Sequence, residues 1–555
     1  MSLSKLGLAL VAAAVLSWSP AAHAQRVDDG SDRFFTAKVA KSSDRDAETV
    51  VQGSVTSTTF VFRELGGNAA GVVNPDYIAN YSNATRLFTD LRLQLDVKKL
   101  SGKGWSVRTD ARGRYSPECA FQTLLANPVL ANTTDCRSQS GILGGNEFDV
   151  RELYARHRGE KTEVYIGRQF VPELAATKLD GLRFHYDVSK RWKLIGFGGL
   201  NPSRISRSVL TDYPSSLVLN ADGTTTQNGN PILPIAAGMG GAYRTPDVYG
   251  SLGAAAIVPL VDDRMTQVTE NPRVFLTDNG YWRPSNNLDV YHYAVFDLQG
   301  ADGLAITNLS VGANYRPRPG FTLSGGVNRV DTETLNSIVQ TQTLEVPLNA
   351  GAQPYNYQDV MRIASDTAHV GASFALDRQR FELSTRAFFR QREETSLAIP
   401  DQDTPGGLFV IPAARSAEVR LSVLDRRSLG GLRLGATFSA ILPVGNNTPN
   451  RSRSQMASVT GSRLFNDDRT EYDFSVGFTN SSDIKELGLC LDPINCFGAS
   501  DVRSIYTNHL LYYRFGKNWL GIANLGAGVQ LFNADGANQP PNILLNGLMR
   551  LAYRF

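Results

Sequence analysis

The chain has 555 residues, with 56 Lys and Arg against 53 Asp and Glu, a near-neutral balance that gives no basis for a nucleic-acid partner. Charged residues make up 20% of the chain, too many for a bundle of apolar helices, and no apolar run reaches the ~18 residues that a spanning helix needs. A membrane protein of this composition would have to cross with strands, and only a closed barrel pairs every backbone group inside lipid.

In chain order, the first element reads as a secretory signal peptide. Lys5 supplies the positive start, 6–16 form a short apolar run, and Ala22-His23-Ala24 fits a cleavage site after Ala24. No Cys follows that site, so a lipid-anchored lipoprotein is not indicated. Residues 25–50 are polar and are expected to form a flexible periplasmic arm ahead of a barrel over 51–555. Glu48-Thr49-Val50-Val51 faintly matches the TonB box of active transporters. Those transporters carry a plug before a barrel of about 22 strands. Here amphipathic strands begin at once, so Val50 and Val51 are read as the start of the first strand.

From there the dominant signal is alternation with period two. Leu87, Leu91, Leu93, Leu95 and Val97 share one face, while Asp90, Arg92, Gln94 and Asp96 share the other. After a Ser-Gly-Lys-Gly turn at 101–104, Trp105, Val107, Thr109 and Ala111 alternate with Arg108, Asp110, Arg112 and Arg114. The pattern returns at 309–328, at 368–392, at 419–438 and at 472–478. These runs span about ten to thirteen residues, the length that a tilted strand needs to cross a bilayer, whereas soluble strands average about six. Connections alternate too. Brief turns (101–104, 189–191, 377–380, 466–469, 516–518) take turns with long polar segments (116–147, 201–234, 393–414, 442–455, 481–501). Short periplasmic turns and long extracellular loops would produce that asymmetry.

Trp105, Trp192 and Trp519 each close a short turn and open the next strand. With Tyr553 they are expected to form an aromatic girdle at the lipid–water interface. Four Cys remain after export, in two local pairs, and Cys119–Cys136 and Cys490–Cys496 are expected to be disulfides inside loops. Five His survive cleavage, at 157, 185, 292, 369 and 509, without metal-ligand spacing, and no Gly-x-Ser-x-Gly elbow is present. The sequence therefore gives no basis for an enzyme, a metal or a cofactor.

The polar face is the most informative part. It carries Arg92, Arg108, Arg112, Arg114, Arg386, Arg390, Arg392, Arg420 and Arg433, with Asp90, Asp96, Asp110, Glu382, Glu418 and Asp473 as the acids. Such charges facing lipid would cost several kcal/mol, so this face is read as the lumen. Two readings stay open. One is structural bracing by Arg–carboxylate pairs; the other is an electropositive pathway for anionic solutes.

The last strand places Ile543, Leu545, Met549, Leu551, Tyr553 and Phe555 on one face, and the chain stops at Phe555. This resembles the C-terminal signature of Gram-negative outer-membrane β-barrels, with Leu551, Tyr553 and Phe555 as the part that barrel-assembly machinery reads. The resemblance is to the porin-like architecture, not to a subfamily. It implies an all-β fold: a single large antiparallel transmembrane β-barrel in the outer membrane, in contact with its lipid. Counting favours 20–22 strands, with 18 possible. The parity is open only between 259 and 365, where 272–282 or 337–346 could supply the strand.

The leading functional expectation is an outer-membrane channel for passive diffusion of small polar solutes, anionic ones among them. Two alternatives remain: an export pore for a secreted polysaccharide, and a non-transport barrel whose disulfide-braced loops bind a partner.

Overall fold

The computed structural model describes residues 49–66, 85–100, 104–116, 147–174, 177–202, 209, 212–213, 215–219, 225–231, 233–260, 273–300, 303–331, 344–346, 355–357, 364–377, 380–398, 408–411, 413–426, 429–445, 451–465, 469–484, 500–534, 537–538 and 541–555. The expected signal peptide, nearly all of the arm, and all four cysteines lie outside them.

Long strands account for most of the described chain. In order they are β1 Val50–Gly66, β2 Thr85–Leu100, β3 Trp105–Tyr115, β4 Glu147–Arg158, β5 Thr162–Val171, β6 Thr177–Asp187 and β7 Trp192–Leu200. Next come β8 Leu233–Arg244, β9 Val248–Leu260, β10 Arg273–Ser285, β11 Leu288–Gly300, β12 Gly303–Arg318, β13 Phe321–Asp331 and β14 Ala364–Leu376. The last eight are β15 Phe381–Arg392, β16 Ala414–Asp425, β17 Arg433–Pro443, β18 Arg451–Phe465, β19 Thr470–Ile484, β20 Ser500–Phe515, β21 Trp519–Ala534 and β22 Asn542–Arg554. No α-helix occurs among the described residues.

Each strand pairs antiparallel with the next, and β22 returns to β1. The closed circuit has 22 members, which excludes the smaller counts of 18 and 20. Segment 272–282 supplies the strand left open by the sequence, as β10. The other candidate contributes only Leu344–Val346, which pairs with Tyr355–Tyr357 in a separate hairpin. Val50 and Val51 lie in β1, opposite Lys98 and Val97. At the seam, Gly53 and Phe555 exchange both backbone hydrogen bonds at 3.1 Å. The Phe555 ring occupies the space where a Cβ on residue 53 would stand.

The alternation read in the sequence becomes two wall surfaces. On the outer one, Leu91, Leu182, Leu252, Val370, Val459 and Leu525 are exposed. Exposed apolar residues on this scale require a hydrocarbon cover. With strands ~4.8 Å apart and tilted ~40°, 22 strands make a circle of radius about 22 Å. Side chains cannot fill such an interior.

Part of the inner wall is nevertheless dry. Val171, Leu179, Ile195, Phe197, Ala236, Ala242, Ala255, Ile257, Phe275 and Val295 form one buried cluster with Leu174. Leu174 belongs to the β5–β6 connection, which turns inward. The Thr177 hydroxyl donates to the Leu174 carbonyl at 2.7 Å, and the Thr277 hydroxyl to the Glu173 carbonyl at 3.4 Å. Leu174 is 1% exposed and lies against Gly240 and Gly253, in the space that side chains there would need.

Candidate functional site

The inner wall carries two sectors that differ in charge. In the first, over β2–β4, every predicted arginine has a carboxylate across the strand gap. Arg92 donates twice to Asp110, at 2.9 and 2.8 Å, and Gln94 adds a contact at 3.4 Å. Arg114 reaches Asp90 at 2.7 Å, Arg112 reaches Glu147 at 2.6 Å, and Arg108 reaches Glu152 at 2.6 Å. Four guanidinium groups face four carboxylates, so these eight groups sum to zero. Antiparallel register makes this possible: Arg92 stands directly opposite Arg112 and Asp90 opposite Arg114, so each arginine reaches diagonally or across to an acid. These pairs brace the wall.

The second sector, over β12–β16, is built differently. Arg386 on β15 stands directly opposite Arg420 on β16. Glu418 takes both Arg390, at 2.5 Å, and Arg420, at 2.8 Å. Arg386 forms no ion pair with a described residue. Three guanidinium groups against one carboxylate leave this patch at +2. Phe388 lies between them, with the guanidinium carbons of Arg390, Arg420 and Arg386 at 5.3, 5.6 and 5.8 Å from its ring centre. Cations over an aromatic face are held without being neutralised.

Beside this patch runs a groove of about 490 Å³ on the inner wall. Arg316, Arg386 and Arg420 line it with the hydroxyls of Thr322, Ser324 and Ser384, and no carboxylate lines it. Arg316 is held by Asp289 at 2.5 Å. The groove therefore offers hydrogen-bond donors and positive charge, the requirements of an anion. Arg392 lies half-buried at the end of β15, and Arg433 is exposed at the start of β17.

Other predicted residues fall at the short-turn rim. Trp105 contacts His157 with ring centres 4.7 Å apart, Trp192 contacts Tyr243 at 4.8 Å, and Trp519 contacts Tyr553 at 4.6 Å. Leu551 and Tyr553 lie in β22, opposite Ser57 and Val55 of β1.

Two features escaped the sequence reading. Phe388, an aromatic ring on the polar face, was recoverable from the Phe388-Phe389 doublet, one member of which must break alternation. The second is a polar cluster where the β7–β8 connection meets β5 and β6. Asp212 is 1% exposed; it pairs with Arg168 and, at 3.0 Å, with Lys178. Tyr213 donates to Asp180 at 2.7 Å. Burial, and then that hydrogen bond, raise the Tyr213 phenol above its ordinary value. This cluster fastens the connection to the wall.

No protein-family model matches the chain, and no curated protein is similar to it. Among solved structures it is similar to Acinetobacter baumannii OccAB4, at 9% identity and a TM-score of 0.36, covering 92% of this chain and all of that one. It is also similar to Pseudomonas aeruginosa OpdQ, at 8% identity and a TM-score of 0.33, covering 91% of this chain and 98% of that one. A third similarity is to the ferric enterobactin receptor of Pseudomonas aeruginosa in complex with enterobactin, at 10% identity and a TM-score of 0.48, covering 90% and 81%. These neighbours are Gram-negative outer-membrane β-barrels. The superpositions are loose, and the barrel assignment stands on the closed strand pairing.

Proposed function

We propose that this protein is an outer-membrane channel for small polar solutes, with a preference for anions set by the Arg386–Arg420 patch. A closed wall with an apolar exterior belongs in a bilayer, and a 22-stranded interior is too wide to be filled by its own side chains. Water occupies the remainder, and solutes pass through it without a chemical step. Phe555 and the apolar row of β22 are what the assembly machinery would engage. The observation that carries the anion preference is the contrast between the sectors: four arginines neutralised one for one over β2–β4, and a net charge of +2 beside a donor-lined groove over β15–β16.

The test is the zero-current potential of the full chain in planar bilayers under a salt gradient. Substituting Arg386→Glu and Arg420→Glu together changes the local charge by four. At ~7 Å and a Debye length of ~8 Å, each unit is worth about 0.25 kcal/mol in lumenal water, so the anion-to-cation permeability ratio falls by more than about tenfold. An open channel whose potential ignores the double substitution would show that these arginines do not set selectivity.

A further inference from the structure

We propose that the outer wall at β10–β11, centred on Asp278 and His292, is the interface with a second copy of this chain. The inference rests on the barrel and not on what passes through it. Thr277 and Phe275 point to the inner cluster and are 1% and 0% exposed, so alternation puts Asp278 outside, beside the exposed Leu276. His292 lies on the same outer surface, between Gly280 and Val311 in the register. Its Nε2 meets Asp278 Oδ2 at 2.9 Å, and both side chains are two-fifths exposed. The imidazole lies over Gly280, where a Cβ would meet the ring. The pair therefore lies flat on an otherwise apolar wall, several residues in from either end of its strands.

This pair is unfinished. Asp278 keeps Oδ1 and His292 keeps Nδ1 without a described partner. Hydrocarbon can satisfy neither, and an unmet polar group is strongly disfavoured there. A second outward histidine shows the contrast. His509 has Nδ1 on the Tyr472 hydroxyl at 2.7 Å and Nε2 on the Thr507 hydroxyl at 2.9 Å; it is complete on its own barrel. The proposed contact takes the pair as an ion pair, in which the imidazolium donates through both nitrogens; Nδ1–H is then a spare donor beside the spare acceptor Oδ1, and such a pair is its own complement about a two-fold axis. In a symmetric dimer the Nδ1 of each copy meets the Oδ1 of the other, as an isologous contact requires. Gly250 and Ala254 lie on the same wall and allow the close approach.

The test uses the full chain assembled in outer membranes. A benzophenone amino acid in place of Leu276 should yield a photo-crosslinked species of twice the chain's mass. The same probe in place of Leu525, on the wall of β21, should not. Asp278→Leu with His292→Leu should leave heat-modifiable migration intact and reduce the crosslinked species several-fold. Lipid-only adducts at position 276, or adducts to a different protein, would overturn the proposal. So would a crosslinked species undiminished by the double substitution. Because conduction is not read, failure here leaves the channel assignment untouched.

Discussion

Bracing arginines and free arginines should respond in opposite ways to the same substitution. Consider Arg92→Ala. The Asp110 side chain is 8% exposed and receives two guanidinium hydrogen bonds. Removing the partner leaves a carboxylate in a nearly dry position. Breaking such a pair costs about 3–5 kcal/mol when both groups are fully buried. Arg92 is 26% exposed, so lumenal water should reduce this to about 3 kcal/mol. Replacing both partners, as Arg92→Leu with Asp110→Leu, should recover most of the loss, because no charge is then stranded. Arg386→Ala removes no ion pair with a described residue and only a distant contact with Phe388, so its stability cost should stay under about 1 kcal/mol. Selectivity should follow the reverse order. One charge at ~7 Å, screened over ~8 Å, shifts an ion's energy by about 0.25 kcal/mol, which changes the anion-to-cation ratio about twofold. Arg386→Ala should therefore halve the ratio. Unfolding in urea, followed by heat-modifiable gel mobility, measures the first quantity, and the zero-current potential measures the second. If Arg386→Ala destabilised the barrel as much as Arg92→Ala, the division of the wall into braced and free sectors would be wrong.

Two further expectations concern the ends and the connections of the barrel. Gly53→Val should displace the terminal ring and slow assembly about as much as deleting Phe555, since both disrupt the β1–β22 seam; normal heat-modifiable migration of both variants would refute this. Cys119–Cys136 and Cys490–Cys496 should protect all four thiols from mass-shift labelling of protein in intact outer membranes, and the appearance of free thiols would remove the disulfide assignment.

The architecture was legible because the bilayer forces it. A wall with hydrocarbon outside and water inside must alternate, and the period of two survives in Leu87–Val97 and Ile543–Phe555 as it stands in the sequence. The strand count was legible only to 20–22, because β10 breaks the rule: Asp278 occupies a position where alternation demands an apolar residue. The arginines were also legible as positions on the polar face, and in part as two sets. Asp90, Asp96 and Asp110 stand near Arg108, Arg112 and Arg114 in the sequence and mark that ladder as partly neutralised, whereas Glu382 lies toward one end of Arg386, Arg390 and Arg392 and leaves that ladder the more positive. Glu152 and Glu147, which take Arg108 and Arg112, arrive from the next strand after a long connection, while Arg114 meets Asp90 on β2; in the second set Arg390 meets Glu418 and Arg386 stands opposite another arginine on β16. The dry inner cluster left one trace: the Ile-Ala-Ala-Gly-Met-Gly-Gly-Ala run at 235–242 is apolar or small on both faces. Nothing local announced that Leu174 would fold back against it.

The most direct measurement is the current carried by the unaltered full chain in a planar bilayer under a salt gradient. The account predicts stepwise, ohmic channel openings and a zero-current potential displaced toward the anion equilibrium potential. A folded barrel that carries no current, or one whose potential lies toward the cation equilibrium potential, would contradict it.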